Sequence, residues 1–391
     1  MGNRLFAIGA IMLLLVSCAS TNVAPVGQQE SFKLQADEKR IWNRSQEEQV
    51  RLNRSNLIYD DPALTAYVNE VAQNLFPEDV KQRGMSIEVI IIKNPLLNAF
   101  AYPNGVIYVH TGILAKMDNE AQLSTLLAHE MTHVTHRHAV RHSRSVKNMT
   151  AAMATIQMAS APFGVYGSLA SALGTIGVMA AITGYSREME TEADRVGLHL
   201  MADAGYDPNE SPKLFVYLKS DLERHEIDEP FFFGSHPRLN ERVNNFENFL
   251  SGEYSGKTGI KGETRFNELI STLLLDNAMM DLDMGRYMSA IEGVERHLRM
   301  QPSSARGHYC LGEVFRQRGE EDDSQKAEKE YHESLAHDPI YPLPRKGLGI
   351  IYYKQGKTNE SINQFEKYLQ LLPDALDRGY IKQYLRHLKN E

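Results

Sequence analysis

The run His129-Glu130-Met131-Thr132-His133, set in the middle of a long helical pattern, constrains this chain more than any other feature. On a helix, residues four apart share a face, so both imidazoles can reach one ion. Glu130 is one residue on, beside that ion and not on it. A carboxylate there suits a base acting on water that the metal activates. Asn119 with Gln122 reads as a capping box, and the pattern predicts a helix from there to about His142. Residues 87–92 are rich in β-branched side chains and read as a buried strand. Residues 99–102 and 106–110 flank Pro103-Asn104-Gly105, which reads as a hairpin turn. Asp61 and Pro62 open another helix, with Leu64, Tyr67, Val68, Val71 and Leu75 on its apolar face. A charged helical pattern precedes it, over residues 36–56. Together these make an α+β domain with a small sheet and several helices.

A catalytic zinc takes three protein ligands and leaves one position open. Residues 186–194 read Ser-Arg-Glu-Met-Glu-Thr-Glu-Ala-Asp and offer Glu188, Glu190 and Glu192 near a helix start. Spacing alone leaves the choice among them open. Glu190 and Asp194 are one turn apart, so one can bind metal while the other accepts a hydrogen bond from a ligand imidazole. His136, His138 and His142 follow the motif and read as surface or structural residues. His110, His199 and His225 are isolated and read as structural.

The N-terminus carries a different signal. Arg4 precedes an apolar run over residues 5–16, too short to span a bilayer and suited to a signal-peptide core. It ends in Leu15-Val16-Ser17-Cys18, which looks like a bacterial lipobox with cleavage before Cys18. Acylation of Cys18 would anchor the chain, since each buried CH₂ contributes about 0.8 kcal/mol. Ala19 is not aspartate, which by lipoprotein sorting rules favours the outer membrane. The other cysteine, Cys310, reads as a small buried apolar residue. The net charge of -8 argues against a nucleic-acid surface, which needs clustered Lys and Arg.

Five segments follow: a signal peptide over 1–17, a polar tether over 18–35, a protease domain over 36–253, a Gly/Ser/Lys-rich linker over 254–262 and a repeat domain over 263–391. Residues 148–186 hold no charged side chain and read as a packed helical hairpin, against a rival reading as a membrane contact. In the last segment Leu311-Gly312 recurs as Leu348-Gly349, and Pro339 and Pro373 are 34 residues apart. That period fits tetratricopeptide helix pairs, an interaction surface for a protein partner.

These motifs resemble metallopeptidase family forty-eight. The resemblance is carried by Asp61-Pro62-Ala63-Leu64 with Tyr67-Val68-Asn69, by Asn98-Ala99-Phe100-Ala101 with Gly105, and by residues 129–138 and 186–197. It ends at His236-Pro237 with Arg242 and spans about residues 60–246. It implies a zincin-type α+β protease domain, here followed by an all-α tetratricopeptide-like array. It implies one zinc held by His129, His133 and Glu190, with Asp194 behind a ligand and Glu130 as the base. Asn98, Ala99, Phe100 and Ala101 would form the edge strand on which an extended substrate pairs. His236, between apolar residues 231–233 and Arg242, would act as a switch on the open metal position or as a transition-state contact; the plainer alternative is a helix cap. Arg242 would orient that loop or stabilise charge.

The expected function is a zinc endopeptidase on the periplasmic face of the envelope, lipid-anchored through Cys18 to the outer membrane. Its expected substrates are unfolded or misassembled envelope proteins, with a partner on the repeats. The rival is a chaperone or assembly scaffold that holds clients with little hydrolysis. The lipobox departs from the family members that share the protease-plus-repeat architecture.

Overall fold

A computed structural model describes residues 23–28, 31–149, 184–225 and 239–389. Cys18, most of the uncharged 148–186 segment and His236 lie outside the described residues. The chain forms two compact units, divided after Glu263.

The first unit is built around one three-stranded sheet and the helices that cover it. Its helices are α1 (Ala36–Asn53), α2 (Pro62–Leu75), α3 (Glu78–Gln82), α4 (Thr111–Ala115), α5 (Glu120–Thr135), α6 (His138–Met149), α7 (Arg187–Asp203), α8 (Glu210–His225) and α9 (Leu239–Ser251). The strands are β1 (Glu88–Ile92), β2 (Ala99–Ala101) and β3 (Val106–His110), in the order β1-β3-β2. β3 pairs parallel with β1 and antiparallel with β2, with Phe100 opposite Tyr108. Gly105 makes the β2–β3 turn at φ 96°, and a Cβ there would stand 2.1 Å from the Ser86 carbonyl oxygen. Only glycine serves both demands.

The two edges of this sheet differ. Beyond β1, Ile58 bridges Ile92 in antiparallel fashion. The side chain of Asn69 then mimics a strand: its Oδ1 accepts from Val89 N at 2.8 Å and its Nδ2 donates to Val89 O at 2.8 Å. That edge is closed. Beyond β2 no strand pairs among the described residues, and β2 packs against α5.

α5 is buried along its whole length after Glu120, so no face of it meets solvent. Asn119 caps it, accepting from Gln122 N at 3.0 Å. The helix ends at Thr135, short of the expected His142. Arg137 adopts φ 57°, a left-handed conformation that breaks the helix, and α6 starts afresh at His138. A non-glycine residue there costs about 1–2 kcal/mol, and tertiary contact holds it. The Arg137 guanidinium is buried in a two-point pair with Glu38 of α1, and it also donates to Ala24 O at 3.2 Å. Arg144 of α6 likewise clasps Asp37 at 2.9 and 3.0 Å.

Two segments of low-complexity appearance are fixed in place. Val26 is fully buried in a short 3-10 turn, Val26–Gln28, packed on α3. In residues 254–262, Tyr254 is buried, Ile260 pairs with Gly205 and Asp207, and Lys261 O accepts from Ala121 N at 3.0 Å.

The second unit consists of α10 (Glu263–Asp283), α11 (Tyr287–Met300), α12 (Ala305–Arg318), α13 (Asp323–His337), α14 (Leu343–Lys354), α15 (Thr358–Leu371) and α16 (Arg378–Lys389), each packed on the next in sequence or nearly so. The recurring glycines have a packing cause. A Cβ on Gly312 would meet the Tyr331 ring at 2.6 Å, and one on Gly349 would meet the Phe365 ring at 2.6 Å. Each glycine of one helix therefore receives an aromatic side chain from the next.

Glu210 ties α8 to the start of α5. Its carboxylate accepts from Asn119 Nδ2 at 3.0 Å, Gln122 Nε2 at 3.1 Å and Lys213 Nζ at 2.6 Å. Burial works against the charge, but these donors and Lys261 prevail and hold the carboxyl down to about 2. Glu210→Ala should lower the unfolding free energy by about 1–3 kcal/mol by leaving buried amides unpaired. Because the folded-state value is depressed, this contribution is full above the unfolded value of about 4.3 and fades as pH falls through about 2. Chemical denaturation of both proteins at pH 7 and pH 3 should show the gap narrowing in acid.

Candidate metal centre

α5 and α7 cross at the histidine motif. A Cβ on Gly197 would stand 3.0 Å from the His129 backbone nitrogen and 3.1 Å from the Ala128 carbonyl carbon, so the glycine lets α7 touch the α5 backbone. Glu190, Asp194 and Gly197 fall at i, i+4 and i+7, on the face of α7 turned to that contact. Ser186 caps α7, accepting from Met189 N at 3.4 Å, and so fixes where this face begins.

Three donors converge here. His129 Nε2 and His133 Nε2 are 3.0 Å apart. Glu190 Oε2 lies 3.6 Å from His129 Nε2, and its Oε1 lies 3.5 Å from His133 Nε2. All three residues are buried, and their donor atoms lie within 4.8 Å of one another. Ligands about 2.0–2.1 Å from a tetrahedral zinc sit about 3.3 Å from each other. The observed spacings straddle that value, so the triad could hold such an ion. Glu188 and Glu192 are not part of it among the described residues.

Each imidazole is held from behind. His129 Nδ1 lies 3.0 Å from Asp194 Oδ1. Asp194 is gripped by Arg242, whose Nε lies 3.1 Å from both carboxylate oxygens and whose Nη2 lies 2.6 Å from Oδ1. The Arg242 guanidinium stacks over the Phe215 ring at 4.1 Å. Arg242 thus sits behind His129, on the Asp194 side. His133 Nδ1 faces His138 Nδ1 at 2.7 Å, and Tyr185 stacks on the His133 ring with centroids 4.2 Å apart and planes 17° apart.

Glu130 is buried on the same helix, 1% exposed. Burial first, and then the charges of Glu130 and Glu190, push the Tyr185 phenol well above its ordinary range. Asn98 precedes β2 and is fully buried; neither polar atom of its side chain has a hydrogen-bond partner. Ala99, Phe100 and Ala101 are buried in β2. Among the remaining histidines, burial lowers His110 to about 3, so it is a neutral core residue. His199 is more than half exposed and pairs with Asp203.

The sequence reading took His138 as a surface or structural residue, held Glu192 as one of three candidate ligands, and did not single out Tyr185. The run Arg137-His138 was visible, but nothing local announces the left-handed turn that folds His138 back onto His133. Burial lowers the His138 value and Glu192 partly offsets this, while Glu192 itself is held at about 2, first by His138 and also by Arg141.

Comparison with known proteins agrees with this geometry. A beta-barrel assembly-enhancing protease of Yersinia pestis is 30% identical over 200 residues, covering 49% of this chain and 40% of the relative. Its namesake in Escherichia coli K12 is 29% identical over 208 residues, with the same coverage. The mitochondrial metalloendopeptidase OMA1 of Schizosaccharomyces pombe is 32% identical over 190 residues, 48% of this chain and 53% of the relative. The match thus spans about half, or less, of each relative. The sequence pattern of peptidase family M48 covers residues 61–249, which include both helices that cross at the triad. Residues 61–249 of this chain are a peptidase family M48 domain.

Proposed function

We propose that this chain is a zinc-dependent endopeptidase of the bacterial periplasm that cleaves unfolded or misassembled envelope proteins. The observation that carries the reading is the convergence of His129, His133 and Glu190 on one point, with Glu130 beside it on the same helix. Two histidines and a carboxylate form a catalytic zinc set, because the fourth position stays open. A bound zinc supplies Lewis acidity, which polarises a scissile carbonyl and acidifies water. Glu130 then takes the proton of the attacking water and delivers it to the leaving amine. Asp194, 3.0 Å from His129 Nδ1, would accept its proton and keep that ring's Nε2 turned to a bound ion.

The unequal sheet edges support an extended substrate. One edge is closed by Ile58 and Asn69; the β2 edge carries no strand among the described residues. A substrate strand would add along Ala99, Phe100 and Ala101. Folded proteins have no free backbone to offer, which favours unfolded ones. Two of the relatives act in barrel assembly by name, which supports envelope clients. The helical array, read as tetratricopeptide-type, would hold an envelope partner. The proposed anchor is lipid on Cys18, at the end of the lipobox-like run.

The rival reading is a client-holding scaffold with little hydrolysis. Glu130→Gln separates the two. This variant should keep zinc yet degrade casein about 10²–10⁴-fold more slowly. Clients held equally well by both proteins, with no cleavage by either, would favour the scaffold. Glu190→Gln should lose zinc under dialysis that leaves Glu188→Gln loaded; equal metal contents by emission spectrometry would remove Glu190 from the ligand set. Cys18→Ser should move the protein from the membrane to the soluble fraction with peptidase activity intact. A variant that still sediments with membranes after a carbonate wash would move the anchor elsewhere.

A further inference from the structure

The far side of His133 holds a chain of groups that hydrolysis itself does not use. His133 Nδ1 lies 2.7 Å from His138 Nδ1. His138 Nε2 lies 3.2 Å from Glu192 Oε2, and the same oxygen accepts from Arg141 Nη1 at 2.7 Å. His138 is fully buried. Two ring nitrogens at this distance share a single proton, so one ring donates and the other accepts.

Which ring donates is fixed by the other end of His133. Its Nε2 faces His129 and Glu190. An imidazole that offers an Nε2 lone pair to an ion carries its proton on Nδ1. His133 is then the donor and His138 Nδ1 the acceptor. A neutral His138 with its lone pair on Nδ1 carries its proton on Nε2, where the Glu192 carboxylate stands to accept it. Every tautomer is set by the next group along, and the series ends on a carboxylate balanced by Arg141.

We propose that His138 and Glu192 are positioning residues for His133, a relay that fixes its tautomer and ring orientation for metal binding. The proposal rests on the zinc-peptidase reading for the identity of the ion. It makes the two imidazole ligands unequal. His129 Nδ1 leans directly on the Asp194 carboxylate at 3.0 Å, whereas His133 Nδ1 faces the Glu192 carboxylate through the His138 ring. Tyr185, stacked on His133, restrains the same ring from its face. The left-handed turn at Arg137 is what brings His138, five residues on, back to His133.

The test uses the full chain in detergent, stripped of metal and titrated with Zn²⁺ against a chromophoric chelator. Side-chain ¹⁵N shifts of labelled histidine report the tautomers. His138→Leu should weaken zinc binding about 10–100-fold. His138→Asn, whose amide oxygen can take the place of Nδ1 as acceptor, should recover most of that loss. Glu192→Met alters a partly exposed side chain, so it should fold; it should weaken zinc binding and, in the metal-stripped protein, release His138 from the Nε2-protonated tautomer. Equal losses in His138→Leu and His138→Asn would make the role one of packing and overturn the relay. So would wild-type affinity in His138→Leu, or a Glu192→Met protein with wild-type affinity and tautomers. If His138→Leu does not fold, wild-type tautomers and affinity in Glu192→Met alone overturn the proposal. Failure of the unaltered chain to bind zinc would sink the peptidase reading and this inference with it; binding by the unaltered chain with unchanged variants sinks only the inference.

Discussion

The contact between Gly197 and the α5 backbone at His129 sets the scale of the whole site. Side chains of Glu and Asp are short, and they can reach an ion held by a neighbouring helix only if the two axes lie close. With a larger residue at 197 the helices would separate by roughly the size of the added group, and a coordination sphere tolerates only a few tenths of an ångström. The caps at Asn119 and Ser186 then fix where each helix begins, and so which residues face the crossing. Glu210 extends this restraint by holding Asn119 and Gln122 at the start of α5. The centre is therefore placed by backbone proximity first and by side-chain chemistry second.

What could be read from the sequence was what depends on local spacing. The four-residue interval of His129 and His133 placed two imidazoles together, and β-branched runs marked the strands. Glu190 needed more: spacing left three glutamates, and resemblance chose the one that the fold brings to both rings. The remainder was hidden because its causes are remote in sequence. Arg137 holds a conformation normally left to glycine because Glu38 pairs with it from 99 residues away. The predicted helix therefore ran past its true end, and His138 was read as peripheral. Glu192 looked like a surplus carboxylate for the same reason. Val26 and residues 254–262 have the composition of flexible chain, but partners elsewhere in the unit hold them.

Several buried charges in this unit are paired. Arg242 is enclosed with Asp194 and the Phe215 ring, which offset the cost of taking a guanidinium out of water. The glutamate at 38 and the arginine at 137 do the same at the end of α5. Such pairs are weak evidence for stability, since apolar residues of equal volume often serve as well. Their value here is directional: each fixes the orientation of a group that the site depends on.

The pairing of α1 with the end of α5 also changes what counts as the smallest independent piece of this protein. The family M48 match begins at residue 61, yet Asp37 and Glu38 lie upstream of it. A fragment cut at the homology boundary would keep Arg137 and Arg144, both now enclosed, and discard the carboxylates that neutralise them. The turn after Thr135 would lose its counterweight and the last coil of α5 would be free to unwind toward His133. For this chain, the packed unit reaches upstream of the family match.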